Sequence, residues 1–253
     1  MRWVNVGGLI WTLVRTDFKT RYHGTIGGFL WALLKPFTMF IVLMSVFSLI
    51  FASDPQYKFR LIIGLFLFDF FAEATKVGLM SLNSTGYLLS KAKFPAWIVV
   101  VTSISNSLLT LVILAVVVMA FESLNGRPLD AAAILLFVSY LTADVLIVIG
   151  FSLAASVWFL KFRDLNQIWE VVLQAGFFVA PIVYPLNIIP ERYHFYLYLW
   201  PPTPIIQFSR SVLVDHVFPT PTGHLYLFAE TIVVLAGGAF IFNRNVAKAA
   251  ELL

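Results

Sequence analysis

Residues 164–214, DLNQIWEVVLQAGFFVAPIVYPLNIIPERYHFYLYLWPPTPIIQFSRSVLV, decide how the rest of the chain is interpreted. They open with an apolar run, 168–184, that is long enough to cross a bilayer with help from its flanks. Two apolar pieces, 193–200 and 205–214, follow between prolines. Pieces of about 10 to 14 residues are too short to span, and more often re-enter or lie at the surface. The pattern alone leaves open a hairpin that gates one side of a membrane and a pair of amphipathic surface helices.

The composition is that of an integral membrane protein. The 253 residues are 60% hydrophobic and 12% charged, with a mean hydropathy of +0.90, whereas globular domains carry roughly 25% charged residues. The apolar runs are long and continuous, which predicts spanning helices rather than strands. No early apolar run precedes a small-residue cleavage site, so we expect no signal peptide. The absence of cysteine excludes disulfides and thiol catalysis.

The apolar runs predict a single all-α membrane domain, 1–253, with an ordered set of segments. Residues 1–28 form an amphipathic interface helix and a glycine hinge, and 83–95 form a cytoplasmic loop. A re-entrant hairpin, 186–214, lies between the last two of six transmembrane helices. The six predicted spans are 29–51, 60–82, 96–121, 131–159, 168–184 and 225–242.

Charged residues occur inside several of these spans. Asp69, Glu73 and Lys76 share one face of the second span at i, i+4 and i+7, so that face must meet protein or water, and Glu73 can pair with Lys76. Lys35 is expected to reach back to the headgroups. The intramembrane acids leave open an ion-coupled transporter or channel as the alternative function. That alternative depends on Asp69, Glu73, Asp144 and Glu230.

The distribution of basic residues sets the orientation. With the N-terminus inside, twelve Lys and Arg fall on cytoplasmic segments and five on outer segments, which is a clear positive-inside bias. It predicts that both termini and loop 83–95 are cytoplasmic, and that the hairpin 186–214 lies on the outer side.

Catalytic motifs are missing from the sequence. There is no G-x-x-x-x-G-K-[ST], so the chain has no P-loop for ATP. The four histidines lack metal-ligand spacing, and we expect no metal site and no catalytic residue. Glu191 and Asp215 are outer-side acids that a glycosyl transferase would use, but no cytoplasmic acidic cluster for a metal and a sugar nucleotide accompanies them. We therefore expect a transport subunit rather than an enzyme.

Aromatic residues are abundant, with 25 Phe, 9 Tyr and 7 Trp. Aromatic rings stack on the apolar faces of sugars, although an interfacial belt of Trp and Tyr and lipid-facing Phe explains most of them. The rings of the fifth span and of the hairpin are candidates for a glycan path. They are Trp169, Phe177, Phe178 and Tyr184, followed by Tyr193, Phe195, Tyr196, Tyr198 and Trp200.

Four motifs occur in order along the chain. Residues 15–36, RTDFKTRYHGTIGGFLWALLKP, are similar to an R-D-x-K-x-R-Y-like helix followed by a G-x-x-W-A-L-x-x-P span. Residues 89–95, LSKAKFP, resemble an L-x-x-K-x-x-F-P loop. Residues 162–185 resemble an F-R-D-[IL] to P-I-x-Y-P segment, and residues 199–213 resemble an N-P to R-x-x-L element, with Trp200-Pro201 where Asn-Pro is common, which leaves the local cap open. Motifs of these four kinds, in this order, resemble those of membrane subunits of ABC-2-type polysaccharide exporters.

The resemblance implies roles for particular residues. It places the coupling to a separate ATPase on the interface helix and on loop 83–95, with spans 1 and 5 lining a channel and the hairpin forming its outer gate. The implied coupling residues are Arg15, Asp17, Lys19, Arg21, Tyr22, Tyr87, Leu88, Lys91, Lys93, Phe94 and Pro95. The implied channel contacts are Trp31, Phe37, Trp169, Phe177, Phe178 and Tyr184, and the gate residues are Tyr193, Tyr196, Tyr198, Trp200, Pro201 and Arg210.

The resemblance also implies partners. The chain is expected to form a homodimer in the lipids of the bacterial inner membrane, and to pair with two copies of a cytoplasmic ABC ATPase that binds ATP and Mg. No cofactor is expected on this chain itself, and no nucleic acid. The substrate implied is a lipid-linked polysaccharide: O-antigen, which we favour, or capsule or teichoic acid.

Overall fold

A computed structural model describes residues 6–22, 27–86, 88–89, 94–126 and 130–250. These ranges contain helices and no strand, which confirms the all-α prediction for them. Two 3₁₀ turns, Leu186–Ile188 and Glu191–Tyr193, precede the eighth helix. The helices are α1 Val6–Tyr22, α2 Leu30–Ile50, α3 Tyr57–Thr85, α4 Trp97–Ser103, α5 Ser105–Leu124, α6 Ala131–Lys161, α7 Leu165–Val179, α8 His194–Tyr198, α9 Pro202–Leu213 and α10 Pro221–Ala250.

Four helical segments of the described chain are long and apolar enough to cross a membrane: α2, the consecutive pair α4 and α5, α6, and α10. α3 is equally long but carries several charged side chains. α7 has 15 residues and therefore spans about 22 Å, less than the roughly 30 Å of a hydrocarbon core. The count of six spans stays a prediction.

α3 is the central helix of the fold. It packs against α2, α4, α5, α6, α7 and α9, and Phe66 and Phe71 are among its fully buried side chains. A helix that is apolar nearly all round belongs in an interior. The charged side chains of α3 are therefore held among neighbouring helices rather than in lipid.

Two glycines let α6 and α10 approach closely. A Cβ at Gly238 would lie 1.9 Å from the carbonyl oxygen of Gly150, and a Cβ at Gly150 would lie 2.6 Å from the carbonyl oxygen of Val234. Small residues at such crossings allow backbone-to-backbone contact inside membranes. α6 in turn packs on α3 and α9, so this crossing attaches the last helix to the centre of the fold.

The predicted fifth span is wrong at its C-terminal end. α7 stops at Val179 and Ala180 has extended backbone angles. Pro181 is the physical cause, because proline lacks an N–H donor and disfavours helical geometry in the residue before it. The following residues, Ile182 and Val183, are buried although they are not helical.

The proline-rich hairpin divides into an exposed part and a buried part. α8 is short and its Phe195 and Tyr196 are exposed. α9 is packed between α3 and α6, with Ile205 and Ile206 fully buried. α9 is therefore not a surface helix, which was the alternative left open by the sequence. The re-entrant depth of the hairpin stays a prediction.

Candidate substrate groove and coupling surface

A groove of about 880 Å³ lies between α2, α3 and α7. Its lining is mainly apolar, and Thr38 and Gln174 add uncharged polar groups. Trp31 and Phe178 stand at its edges with 63% and 70% of their surface exposed. The apolar lining residues include Leu34, Met39, Val42, Leu65, Phe68, Leu173 and Phe177.

Two ion pairs also line the groove, and each joins two helices. Lys35 Nζ of α2 lies 3.2 Å from Asp69 Oδ1 of α3. Lys76 Nζ of α3 lies 2.8 Å from Glu170 Oε1 of α7. Lys35 was expected to reach the headgroups, but in the structure it contacts Asp69 instead. The charged stripe of α3 faces protein and a cavity, as its place in a predicted span requires.

A second cavity of about 260 Å³ adjoins the groove and shares Trp31, Lys35 and Asp69 with it. In its wall, Arg21 Nη2 of α1 donates a 2.7 Å hydrogen bond to Glu73 Oε1 of α3. The local pairing of Glu73 with Lys76 predicted from spacing is therefore wrong, because each finds a partner on another helix. The second cavity places α1 in contact with the wall of the groove.

Asp17 provides a second polar contact between α1 and the helices behind it. Its carboxylate accepts a hydrogen bond from the Asn106 side chain of α5. Burial raises the pKa of Asp17, and the Arg21 guanidinium and the Asn106 bond partly offset that effect. α1 is thus held by side chains of both α3 and α5.

Reversing the charge of either member of the Arg21–Glu73 pair is expected to loosen α1. Arg21→Glu or Glu73→Arg replaces the 2.7 Å ion pair with two like charges. The double exchange, Arg21→Glu/Glu73→Arg, restores opposite charges. Hydrogen exchange of α1 amides in nanodiscs should rise in each single variant and fall again in the double variant. Equal exchange in all three variants would show that the pair does not hold α1.

The predicted channel residues separate into two groups. Trp31, Phe177 and Phe178 line the groove. Phe37 instead packs edge-on against Phe66 of α3, with ring centroids 5.1 Å apart. Trp169 stacks on Phe151 of α6 at 4.1 Å and donates its Nε1–H to Thr75 Oγ1.

Tyr184, the sixth predicted channel residue, lies beyond the end of α7. Its hydroxyl donates a 2.7 Å hydrogen bond to the carbonyl of Phe178. This bond ties the non-helical segment back onto the last turn of α7, beside the groove rather than in its lining.

The predicted gate residues also lie in different environments. Tyr193 and Tyr196 are exposed, and Tyr198 packs against Phe208. The Trp200 ring lies against Phe71 and so close to Gly176 of α7 that a Cβ there would meet it at 2.3 Å. Half-buried Pro201 precedes α9.

Arg210, the last predicted gate residue, is buried and makes three hydrogen bonds to backbone carbonyls. Its Nε donates to Arg60 O at 2.8 Å, Nη1 to Pro181 O at 2.5 Å and Nη2 to Ile182 O at 2.7 Å. Gly64 leaves room for the guanidinium against α3. Arg210 therefore joins α9 to the start of α3 and to the unwound end of α7.

Arg60 extends this network at the same end of the fold. Its guanidinium pairs with Asp54 at 2.7 Å and with Asp215, just after α9. Tyr57, one turn earlier, donates its hydroxyl hydrogen to Val183 O at 2.8 Å. The end of the hairpin and the non-helical segment after α7 are thus both fixed to the first turn of α3.

The predicted coupling residues of α1 point in two directions. Arg15 and Lys19 are exposed, while Asp17, Arg21 and Tyr22 contact or face neighbouring helices. Tyr22 also forms an aromatic cluster with Phe18 and Phe29, which brackets the turn at Gly28, a residue with a positive φ of 47°.

Part of loop 83–95 lies within the described residues. Leu88 is half-buried, and Leu89 and Phe94 pack against a core cluster that contains Leu82 of α3 and Val99 of α4. Pro95 is exposed. Tyr87, Lys91 and Lys93 lie outside the described residues.

The other two acids of the predicted spans, Asp144 and Glu230, are not among the groove-lining residues. Asp144 of α6 is buried, and its Oδ1 has no hydrogen-bond partner among the described residues. Glu230 of α10 is half-buried. Neither makes an ion pair within the described ranges, whereas Asp69 and Glu73 both do.

Sequence comparison identifies the family. Residues 8–214 match the model of the ABC-2 type transporter family. The chain belongs to this family.

Its relatives in the ABC-2 family are similar over nearly their whole length. The chain is 28% identical over 251 residues to the O-antigen export system permease protein RfbA of Myxococcus xanthus, covering 96% of this chain and 95% of that protein. It is 24% identical to a Klebsiella pneumoniae protein of the same name, with 97% and 95% coverage. The polysialic acid transport protein KpsM of Escherichia coli is 26% identical, with 90% and 89% coverage.

Sequence reasoning on this ABC-2 chain missed the groove residues of α7 other than its aromatics. Glu170 and Gln174 follow Trp169 and precede Phe177 and Phe178 at helical spacing, so they share the face that lines the groove. That spacing is a usable signal. The partner of Glu170, Lys76, is 94 positions away in the chain, and no local pattern indicates it.

Proposed function

We propose that this chain is the permease subunit of an ATP-driven exporter that moves a lipid-linked polysaccharide, O-antigen in the first place, across the bacterial inner membrane. The chain belongs to the ABC-2 type transporter family, and the relatives named above are permeases or transport proteins for O-antigen and polysialic acid. The observation that carries the proposal is the groove between α2, α3 and α7, with its exposed aromatic edge and its paired charges.

The groove is an open structure that a second copy of the chain would close. In α2 only Pro36 is buried, and Ile41 and Leu49 are 65% and 81% exposed. A homodimer that pairs these surfaces would face two grooves toward each other and enclose a path for the glycan. With six spans and a re-entrant outer hairpin, α8 and α9 would close that path on the outer side.

Two regions are suited to transmit movement from a partner ATPase. Loop 83–95 is anchored through Leu89 and Phe94 in the core cluster at the ends of α3 and α4, so a push on it moves those helices. α1 reaches the groove wall through Arg21 and Glu73. Two ATPase subunits, which would bind ATP and Mg, would act on these regions from the cytoplasm.

The ion-coupled alternative has less support. Asp69 and Glu73 are held by Lys35 and Arg21, which suits a structural role better than a cycle of protonation. Asp144 is buried inside α6 packing rather than in the groove.

Removing the exposed groove rings is expected to slow export. The double variant Trp31→Ala/Phe178→Ala should reduce ATP-dependent transfer of the lipid-linked glycan about tenfold, because aromatic contacts are worth about 0.5–1.5 kcal/mol each. The measurement is surface glycan in a host whose own copy is deleted, with the cognate ATPase present.

Phe240→Ala is the matched control, because this ring on α10 is 64% exposed and lies outside the groove. It should leave export unchanged. Normal glycan at the cell surface after deletion of the gene, or ATP hydrolysis by the purified chain alone, would contradict the proposed function.

A further inference from the structure

We infer that the groove admits an uncharged polysaccharide and discriminates against one that carries a negative charge on every repeat. This inference rests on the proposed function and names the substrate class of the same groove. It is based on one observation: every charged residue described in the lining of the groove and of the adjoining cavity is in an ion pair.

The charged lining residues balance one another. Among the described residues, the groove and its adjoining cavity are lined by three cations and three anions. Every one of these cations is in an ion pair with one of these anions, at 2.7, 3.2 and 2.8 Å. The pairs are Arg21–Glu73, Lys35–Asp69 and Lys76–Glu170.

A polyanion would find no free cation among the described residues of this lining. A phosphate or carboxylate that recruits Lys35 or Lys76 would lie beside the Asp69 or Glu170 carboxylate that the same ammonium already holds, and repulsion between the two anions opposes the recruitment. Without such recruitment, each anionic group must lose hydration beside an apolar wall, and burial of an unpaired ion is strongly unfavourable. The penalty recurs with each repeat that passes.

An uncharged sugar finds suitable partners on the same lining. The exposed Trp31 and Phe178 rings offer flat apolar surface, and Gln174 offers an exposed amide that both donates and accepts hydrogen bonds. The phosphate of a lipid carrier occurs once per polymer, whereas the charges of a polyanion recur along its whole length. The groove is therefore neutral over the length that the polymer must cross.

The test compares two matched polymers on one lipid carrier: a polymannose and the same polymannose with one phosphodiester per repeat. Inverted membrane vesicles containing the chain and its ATPase take up each polymer in the presence of ATP. We expect uptake of the uncharged polymer to exceed that of the phosphorylated one by about tenfold, equivalent to about 1.4 kcal/mol.

Two variants then add positive charge to the groove. Gln174→Lys introduces a cation without breaking any ion pair, and Asp69→Asn/Glu170→Gln frees Lys35 and Lys76. Both should raise the ratio of phosphorylated to uncharged uptake at least about threefold, equivalent to about 0.65 kcal/mol. Asp130→Asn/Glu191→Gln removes two exposed acids outside the groove and should leave the ratio unchanged.

The outcomes separate this inference from the proposed function. Uptake of neither polymer by the unmodified complex would contradict the proposed function itself. Equal uptake of both polymers would overturn the charge selection and leave the export function standing. Because the ratio compares two polymers in the same variant, a general loss of folding or of export cancels, and an unchanged ratio in Gln174→Lys would also overturn the inference.

Discussion

Gly238→Ala is expected to destabilise the chain more than its single added methyl group would suggest. The new Cβ would lie 1.9 Å from the carbonyl oxygen and 2.9 Å from the Cα of Gly150. Both are backbone atoms, so α10 must move away from α6 along the whole crossing. Overpacking of this kind costs about 1–3 kcal/mol, which corresponds to a fall of roughly 2–12 °C in the thermal midpoint.

The neighbouring glycine supplies the control. A Cβ at Gly237 meets no atom within 4 Å, so Gly237→Ala changes helix propensity equally but not packing. The midpoint in detergent, followed by intrinsic fluorescence, should fall for Gly238→Ala and stay the same or rise for Gly237→Ala. Equal midpoints would show that the α6–α10 crossing is looser than the structure has it.

Gly150→Ala tests the same contact from the other helix. Its Cβ would lie 2.6 Å from Val234 O, so it should lower the midpoint too. The double variant with Gly238→Ala should fall less than the two single effects added together, because one separation of the helices relieves both clashes.

Hydropathy correctly predicted helices that consist of one long, uninterrupted apolar run. The predicted spans 29–51 and 131–159 lie close to α2 and α6, because a long apolar run with polar ends has one stable arrangement in lipid. The fifth span was misjudged because its apolar run was extended across Ala180 and Pro181, through which the helix does not continue. Apolarity reports burial, and the helix end is set by backbone chemistry.

The charged residues show a second limit of sequence reasoning. Helical spacing correctly placed Asp69, Glu73 and Lys76 on one face, and the cost of charge in lipid correctly required protein or water beside them. Helical spacing could not predict their partners, because those partners are distant in sequence: Arg21 lies 52 positions from Glu73. Local spacing indicated a pair on the same helix, whereas in the structure each of these residues pairs with a residue of another helix.

The predicted site residues were found by type and position rather than by contact. Aromatic enrichment and motif order indicated Trp31 and Phe178, which do line the groove. The same reasoning grouped Trp169 with them, although its ring is stacked on Phe151 in the interior. Periodicity predicts which residues share one face of a helix. Whether that face lines a groove depends on whether another helix packs against it, which the sequence of one helix does not show.

Arg210→Met is expected to destabilise the end of the fold at which α3 begins, and to abolish most export. Methionine matches much of the arginine volume but leaves the carbonyls of Arg60, Pro181 and Ile182 without the donor they now have. An unsatisfied buried polar group costs about 1–3 kcal/mol. Arg210→Lys should recover only part of this loss, because one ammonium cannot match the planar fork of the guanidinium.

Arg192→Met provides the comparison within the same hairpin. Arg192 is exposed and lies over the Tyr193 ring at 4.7 Å, so its loss should change the thermal midpoint little. The midpoint and the export rate, measured on both variants, separate two roles for Arg210. A residue that only lines a gate would alter export at an unchanged midpoint.

The network around Arg210 favours the other role, in which the guanidinium holds the hairpin and the unwound end of α7 as one unit. Residues 181–183 are not helical, and Arg210 and Tyr57 donate hydrogen bonds to their carbonyls. Opening of this end of the fold would then move α9 together with residues 181–183 rather than bend that segment. Loss of export at full stability in Arg210→Met would contradict this account, whereas a joint fall in midpoint and export would agree with it.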